Sequence, residues 1–224
     1  MAFETVVYKE LLTEFSFSNT TLVAVSKTKP MEDLMEAYNE GVRDFGENYV
    51  QELTDKQAKL PNDIRWHFIG HLQTNKVKYI APFVHLIHGV DSEKLLMEIN
   101  KQGKKNNRII NCLLQVHIAR EETKFGFDES ELMELVNQII QPSSSLENIC
   151  ISGLMGMASF SDDLNVVSKE FETLHSIYEK LKTINASNFQ LSVLSMGMSN
   201  DYRIAIKAGS NMVRIGSKLF GSRG

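Results

Sequence analysis

The chain alternates between short apolar runs and longer amphipathic segments. Eight runs of strand length are rich in Val, Ile and Leu, as is typical of parallel strands that are covered on both faces. We predict strands over Leu22–Lys27, Arg43–Glu47, Trp66–Gly70, Val84–Gly89, Asn111–Ile118, Ile149–Met155, Leu191–Ser195 and Met212–Gly216.

The segments between these runs suit helices. We predict helices over Met31–Asn39, Asn48–Lys59, Ser92–Lys104, Glu129–Ile140, Leu164–Ile184 and Asp201–Lys207, a short one over Asn75–Tyr79, and an extra helix over Phe3–Phe15. Strand followed by helix, repeated eight times, predicts an α/β fold: a (β/α)8 TIM barrel with an extra N-terminal helix. An open doubly wound sheet is the alternative, and it is less favoured because no Gly-x-Gly-x-x-Gly turn follows the first strand.

Domain organisation follows from the evenness of this pattern. The 224 residues contain no linker and no break in composition, so we expect a single domain over residues 1–224. The polar stretch 141–145 is predicted to be a surface loop between a helix and a strand.

Composition excludes several classes of function. The net charge of −4 gives no overall basic field for nucleic acid or an anionic membrane. No apolar run approaches the roughly 20 residues that span a bilayer, and the N-terminus lacks a signal-peptide pattern. Cys112 and Cys150 lie in apolar strand-like segments, which predicts buried free thiols and a cytoplasmic location. No Cys/His cluster has zinc spacing, so we expect no metal.

Lys27 stands where the first apolar run opens into the polar segment Thr28–Pro30. Desolvation disfavours the charged form of a lysine, so its amine becomes nucleophilic and suited to a Schiff base with a carbonyl compound. The alternative is a loop lysine that extends its amine to water. Period-2 alternation places Val23, Val25 and Lys27 on one face, which we assign to the barrel interior.

Further candidates lie on the second and third strands, near their carboxyl ends, where barrels of this type carry their chemistry. Asn48 is either a helix N-cap or a ligand contact, and both roles are compatible. His67 alternates with Ile69 and so faces inward, where a hydrogen-bonded core histidine is the more common outcome than a catalyst.

The last two strands indicate an anion site. Ser199 follows the seventh strand as a candidate N-cap, and Gly216 after the eighth strand permits close backbone approach to a ligand. Barrels often bind phosphate with these two loops, and closure brings the eighth strand beside Lys27. This geometry suits a phosphorylated carbonyl compound. Arg214 faces inward by alternation, either toward the ligand or in a salt bridge to Glu47 or Asp201.

Five motifs resemble one known family, in order along the chain from about Thr21 to Gly221. They are Val23-Ala24-Val25-Ser26-Lys27-Thr28-Lys29, Phe45-Gly46-Glu47-Asn48-Tyr49, Trp66-His67-Phe68-Ile69-Gly70, Leu194-Ser195-Met196-Gly197-Met198-Ser199 and Val213-Arg214-Ile215-Gly216. As a set they closely resemble the YggS/PROSC family of pyridoxal 5'-phosphate (PLP) homeostasis proteins. The resemblance implies the fold of the N-terminal barrel of bacterial alanine racemase.

The resemblance also implies site residues. Lys27 matches the lysine that forms the Schiff base with PLP, and Arg214 matches the arginine that faces the pyridine nitrogen. The phosphate site, mostly backbone, corresponds to Ser199, Ile215 and Gly216. Positions near the cofactor correspond to Asn48, His67, Ser195 and Met196.

The function that the resemblance implies is to hold PLP and supply it, within vitamin B6 homeostasis, to apo-enzymes. We expect a carrier without established catalysis because a cation facing the ring nitrogen weakens PLP as an electron sink. We also expect the second, β-rich domain of the racemases to be absent. A monomer is expected, since no apolar stripe lies outside the core pattern.

Two other functions remain open at this point. One is a weak PLP-dependent amino-acid racemase. The other is a sugar-phosphate enzyme that uses Lys27 as its Schiff-base lysine and Glu47 as an acid/base partner.

Overall fold

Eight parallel strands close a barrel in the order of the chain. The computed structural model describes residues 3–120, 125–141, 145–184 and 186–221. The strands are β1 Thr21–Val25, β2 Asp44–Glu47, β3 Arg65–Phe68, β4 Leu86–Val90, β5 Ile110–Gln115, β6 Ile149–Met155, β7 Phe189–Met198 and β8 Met212–Ile215. The barrel prediction is confirmed, and the open sheet is excluded because β1 pairs with both β2 and β8.

Helices follow the strands and cover the outside of the barrel. They are α1 Thr5–Ser16, α2 Met31–Asn39, α3 Val50–Gln57, α4 Val77–Ile80, α5 Glu93–Lys105, α6 Glu129–Ile139, α7 Leu164–Lys182, α8 Tyr202–Lys207 and α9 Ser217–Phe220, with a 3₁₀ turn Thr74–Lys76 before α4. Most of the loop predicted over 141–145 lies outside the described residues.

The prediction that Lys27 ends the first strand is wrong by two residues. Strand β1 stops at Val25, and a turn closes from the backbone N–H of Lys29 to the carbonyl of Ser26 at 3.1 Å. Lys27 therefore lies in a turn beyond the strand, on the carboxyl side of the barrel, where such folds place their ligands.

The core has two layers. The larger one fills the space between the strands and the helices, with fully buried rings such as Phe45 and Phe171. The smaller one fills the barrel interior and comprises Val23, Leu86, Leu113, Met155 and Met212. Val23 thus faces inward, as alternation predicts. Each such side chain contributes about 1.5–3 kcal/mol when fully buried.

Helix α1 packs against the last two helices. Phe15 contacts the ring of Tyr202 edge-on at 5.7 Å, and Phe3 contacts Phe220 at 5.4 Å between ring centroids. The backbone N–H of Glu4 donates to the carbonyl of Leu219 at 2.9 Å. The extra N-terminal helix therefore supports the elements that follow β7 and β8.

The structure also bears on two predictions made from composition, the state of the cysteines and the absence of a membrane-spanning segment. Both cysteines are free; Cys112 is buried as predicted, whereas Cys150 is only partly buried. Across the described ranges, every helix is too short or too polar to cross a membrane.

Candidate functional site

The turn that carries Lys27 is held in a strained conformation. Lys27 is half-buried, and the next residue, Thr28, has a positive φ of 64°. A β-branched residue rarely adopts this region, and such strain persists only where the surroundings enforce it. The backbone N–H of Thr28 donates to Glu52 Oε1 at 2.7 Å, which fixes the turn from helix α3.

A buried ion cluster lies directly behind this turn. Lys56 Nζ donates to Glu47 Oε1 at 2.7 Å, to Glu52 Oε1 at 2.6 Å and to the carbonyl of Ser26 at 2.8 Å. The hydroxyl of Ser26 donates to the same Glu47 oxygen at 2.6 Å. One amine thus joins the ends of β1 and β2 to α3, and it sets the start of the Lys27 turn.

Glu47 is one of the most desolvated carboxyls in the described chain, with a side chain that is 0% exposed. Burial raises its pKa, and this effect outweighs the opposing charge and hydrogen bond of Lys56. Its Oε1 is occupied by Lys56 and Ser26, while Oε2 has no hydrogen-bond partner among the described residues. The pair holds the second strand against the Lys27 turn.

Asn48 does not act as a helix cap. The N-cap of α3 is Tyr49, and Asn48 Oδ1 is buried with no hydrogen-bond partner in the described part of the chain. Gly70 lies against the backbone of Asn48 so closely that a Cβ there would collide with it. An orphaned buried acceptor held this firmly is costly unless a ligand donor reaches it. The ligand-contact role predicted for Asn48 is therefore the one that the geometry favours.

The loops after β7 and β8 are joined by Ser199. Its predicted N-cap role is wrong, because α8 begins after Asp201, whose carboxylate accepts from the N–H of Met198 at 2.6 Å. Instead, Ser199 Oγ accepts from the backbone N–H of Gly216 at 3.3 Å. A Cβ at Gly216 would lie only 3.1 Å from the carbonyl of Val25, so the β8 loop approaches the end of β1 closely.

Two of the predicted site residues point away from the barrel interior. The side chains of Met196 and Ile215 are fully buried in the layer between strands and helices. This arrangement leaves their backbone groups as the parts that a ligand can reach. Ile215 pairs in register with Ala24, which places the end of β8 beside the end of β1.

Arg214 is buried inside the barrel and hydrogen-bonded to neutral oxygens. Its Nη1 donates to the carbonyl and the hydroxyl of Ser195 at 2.9 and 2.6 Å, and Nη2 donates to the carbonyl of Gly156 at 3.1 Å. Burial lowers the pKa of Arg214 to about 10, which still leaves it charged at neutral pH. The salt bridge to Glu47 that the sequence left open is not formed; Glu47 pairs with Lys56.

His67 is buried, and both of its ring nitrogens have partners. Nδ1 lies 2.9 Å from His88 Nε2, and Nε2 lies 3.0 Å from Asp44 Oδ1. This is the hydrogen-bonded core histidine of the sequence analysis. His88 is missing from the predicted set, although a lone histidine inside the apolar strand Leu86–Val90 is itself a detectable signal.

Comparisons with known proteins identify the family of this chain. The family model described as "Alanine racemase, N-terminal domain" matches residues 9–224. The pyridoxal phosphate homeostasis protein of Pasteurella multocida is 40% identical over 211 residues, covering 92% of this chain and 88% of that protein. The protein of that name in Schizosaccharomyces pombe is 42% identical over 208 residues, with 92% and 85% covered. The chain belongs to the pyridoxal phosphate homeostasis protein family.

Two solved structures of one similar protein superpose closely on this chain. PipY of Synechococcus elongatus is 33% identical, and its structure without PLP superposes with a TM-score of 0.89 over 97% of this chain and 99% of that one. Its structure with PLP bound superposes with a TM-score of 0.84 over 96% of this chain and 100% of that one. The family recognised from the five motifs is confirmed, and these curated relatives are named as homeostasis proteins rather than as enzymes.

Proposed function

We propose that this chain binds PLP as a Schiff base on Lys27 and takes part in the intracellular homeostasis of vitamin B6. The observation that carries the proposal is the seam between β1 and β8. There the strained turn of Lys27 and the Ser199–Gly216 bond lie at the same end of neighbouring strands. An amine and a candidate backbone phosphate site at the ends of neighbouring strands suit a phosphorylated aldehyde.

Each predicted residue has a distinct part in this proposal. The amine of Lys27 attaches to the aldehyde carbon with loss of water. Backbone groups around Ser199, Ile215 and Gly216 hold the phosphate, and the orphaned Asn48 Oδ1 accepts a ligand hydrogen bond. Arg214 faces the pyridine nitrogen.

The remaining predicted residues act behind these contacts. Ser195 holds the guanidinium of Arg214 at 2.6 Å, and His67 lies deeper in the same interior. Met196 packs beside them in the outer core and offers backbone only.

Arg214 favours storage and supply over catalysis. Bound PLP supplies an electron sink whose strength depends on protonation of its ring nitrogen. A buried guanidinium that three neutral oxygens hold in place disfavours a proton on that nitrogen. The names of the relatives agree with this role. We therefore propose a monomeric cytoplasmic carrier that supplies PLP to apo-enzymes and lacks efficient catalysis.

Absorbance spectroscopy tests the binding proposal. Purified protein with added PLP should show a visible Schiff-base band, and Lys27→Ala should abolish it because the attaching amine is gone. Lys59→Ala, which removes an exposed lysine just beyond α3, is the matched control and should keep the band. A band of equal strength in Lys27→Ala would overturn the proposal.

A weak amino-acid racemase is the second candidate, favoured by the match to the racemase domain model over residues 9–224. It predicts formation of D-alanine from L-alanine well above the rate with free PLP, and loss of that activity in Lys27→Ala. The carrier proposal predicts a rate no higher than that of free PLP. A chiral assay of the PLP-loaded protein separates the two.

A further inference from the structure

An unbroken chain of hydrogen bonds crosses the barrel interior. It runs from Asp44 Oδ1 to His67 Nε2 at 3.0 Å, and from His67 Nδ1 to His88 Nε2 at 2.9 Å. It continues from His88 Nδ1 to Ser195 Oγ at 3.1 Å and from there to Arg214 Nη1 at 2.6 Å. Barrel interiors are usually filled by branched apolar side chains, so a polar chain through five strands needs a reason.

The two ends of the chain fix the direction of its first and last hydrogen bonds. A guanidinium has donors only, so Arg214 donates to Ser195 Oγ, which leaves the Ser195 hydroxyl proton available to His88 Nδ1. An ionised carboxylate accepts only, so His67 must donate from Nε2 to Asp44. When the Ser195 hydroxyl donates to His88 Nδ1, the same polarity runs through the whole chain: His88 donates from Nε2 to His67 Nδ1, and His67 donates from Nε2 to Asp44.

The surroundings favour an ionised Asp44 and a neutral His88. Burial alone would raise the pKa of Asp44, but hydrogen bonds from Arg65 and His67 outweigh it and lower the pKa well below its ordinary range. Burial lowers the pKa of His88 well below the usual value, with the neighbouring His67 and Arg214 adding to the effect. A proton added to His67 Nδ1 would face the Nε2–H of His88, and one added to His88 Nδ1 would face the Ser195 hydroxyl. The charged or titratable groups around the chain of bonds are Asp44, Arg65, His85, Asp201 and Arg214.

We propose that His67 and His88 are positioning residues, which act through Ser195 to hold the guanidinium of Arg214 in one orientation toward the ligand. This rests on the proposed function in one respect, namely that Arg214 faces PLP. We call this set of residues the relay: Asp44, His67, His88, Ser195 and Arg214. Through the relay, residues near the amino-terminal end of the barrel affect ligand binding at the carboxyl end.

Packing alone does not account for the relay. Buried polar groups cost free energy unless every member has a partner, and an apolar filling is often as stable. The hydrogen bonds of the relay satisfy both imidazoles and the Ser195 hydroxyl at once. Such complete satisfaction fixes a single arrangement of the interior, which is what a positioned cation requires.

Long-range ¹H–¹⁵N spectra of the imidazole nitrogens, recorded on ligand-free protein, test the direction of the relay. We expect His67 and His88 both as neutral Nε2–H tautomers at neutral pH. A cationic ring, or an Nδ1–H tautomer at either position, would overturn the proposal.

The positioning role is tested by cutting the relay at two places. In His88→Phe and in Ser195→Ala, the resolved Nη–H signals of Arg214 in ligand-free protein should collapse into an averaged signal, because the guanidinium gains rotational freedom. The dissociation constant for PLP should rise about tenfold, the expected effect of losing one hydrogen bond to a charged group. His85→Phe is the matched control: its ring lies 5.3 Å from that of His67, yet His85 is exposed and outside the relay.

The outcomes separate the two proposals. Unchanged Arg214 signals in both folded relay variants would refute the positioning role. Failure of the wild-type chain to bind PLP would refute the proposed function alone. The tautomers and the Arg214 signals are measured without ligand, so they test the positioning role independently of PLP binding. An equal loss of Arg214 signals in His85→Phe would also count against the relay, because the loss would then reflect a general disturbance of the barrel interior and not the cut hydrogen bonds.

Discussion

Lys56 is the residue on which the geometry of the lysine turn depends most. Its side chain is 4% exposed, and its amine makes three hydrogen bonds that join α3 to the ends of β1 and β2. Because the turn contains Thr28 at positive φ, its conformation relies on these neighbours rather than on its own preference. Lys56 thus determines where Lys27 lies without touching the proposed ligand.

Removal of Lys56 should be strongly destabilising. Lys56→Met leaves the Glu47 carboxylate buried without its cation, and breaking a buried pair in this way costs about 3–5 kcal/mol. Urea unfolding should show this loss, while Lys59→Met, at an exposed position near the same helix, should change stability by about 0.5 kcal/mol or less. The double variant Lys56→Met/Glu47→Leu should recover most of the loss. Equal stability of the two single variants would contradict the ion-cluster interpretation.

Asp44 should govern part of the acid sensitivity of the protein. Its pKa in the folded state lies below the ordinary value of 3.8, because hydrogen bonds from Arg65 and His67 outweigh the effect of burial. The stabilisation is therefore fully present above pH 3.8 and is lost as the pH falls below that value.

The Asp44→Asn variant tests this linkage. It should be less stable than wild type at neutral pH, and the difference should shrink as the pH is lowered below 3.8, because the carboxyl of the unfolded wild-type chain then takes up a proton while that of the folded protein does not, which favours unfolding. Urea midpoints measured from pH 7 to pH 2.5 give the curve. Asp162→Asn, in the exposed loop before α7, is the control, and its stability should change with pH in the same way as that of wild type. A constant difference in stability between Asp44→Asn and wild type across the whole pH range would rule out the proposed link between the Asp44 carboxylate and stability.

At the scale of elements, the ends of β7 and β8 form the least replaceable part of the barrel. Strand β7 continues to Met198, beyond the predicted end at Ser195, and its register against β8 shifts between Ser195 and Met198. Gly197, inside that irregularity, has a φ of 96°, and a Cβ there would lie 2.6 Å from Ala205 Cβ. Both the positive φ and this close contact favour glycine where the strand leads to Ser199 and the proposed phosphate site.

Gly197→Ala should therefore disturb both stability and binding. The positive φ alone costs roughly 1–2 kcal/mol for an alanine, and the contact with α8 adds to it. Gly41→Ala is the matched control, with a φ of 103° but no atom within 4 Å of the added Cβ. Thermal denaturation should show a larger loss for Gly197→Ala, and PLP affinity should fall only in that variant. Similar losses of stability in both variants would remove the steric argument.

Periodicity and residue type predicted much of this architecture. Strand β6 and helix α2 have the predicted bounds, because their apolar positions are regular and their ends carry clear breaks. The end of β1 was placed too late, since the turn is fixed by Lys56 and Glu52, which lie about 30 residues further along the chain. Helix α9 is four residues long and leaves no periodic signal.

The candidate site was predictable where single residues carry chemistry at strand ends. Lys27, Asn48, Arg214 and Gly216 follow from that rule and from the resemblance. His88 does not, because its role depends on Ser195, 107 residues away, and on how the closed barrel brings β4 and β7 across the interior. A sequence shows that a polar residue is buried, but only the fold shows its partner.

At the scale of the whole molecule, closure of the barrel couples ligand binding to folding. The proposed site takes groups from both ends of the sequence, since β1 carries the Lys27 turn and β8 leads to Gly216. The N-terminal segment contacts the helices that follow these last strands through Phe3, just before α1, and through Phe15 within α1. A ligand that bridges β1 and β8 should therefore stabilise the barrel as a unit.

PLP should raise the unfolding temperature of the protein by mass action. Binding to the folded state alone adds about 2.7 kcal/mol when free PLP is present at 100 times its dissociation constant. Differential scanning fluorimetry should show the rise for wild type and for Lys59→Ala. Lys27→Ala should show a clearly smaller rise, because the covalent part of the binding is lost; an undiminished shift would be evidence against a link at position 27.

Borohydride reduction followed by peptide mapping tests the central claim most directly. The protein is incubated with PLP, reduced, digested, and searched by mass spectrometry for pyridoxyl-modified lysines. We expect one dominant modified peptide, which contains Lys27, and no such peptide in Lys27→Ala. Modification centred on another lysine, or spread evenly over many of them, would contradict the account.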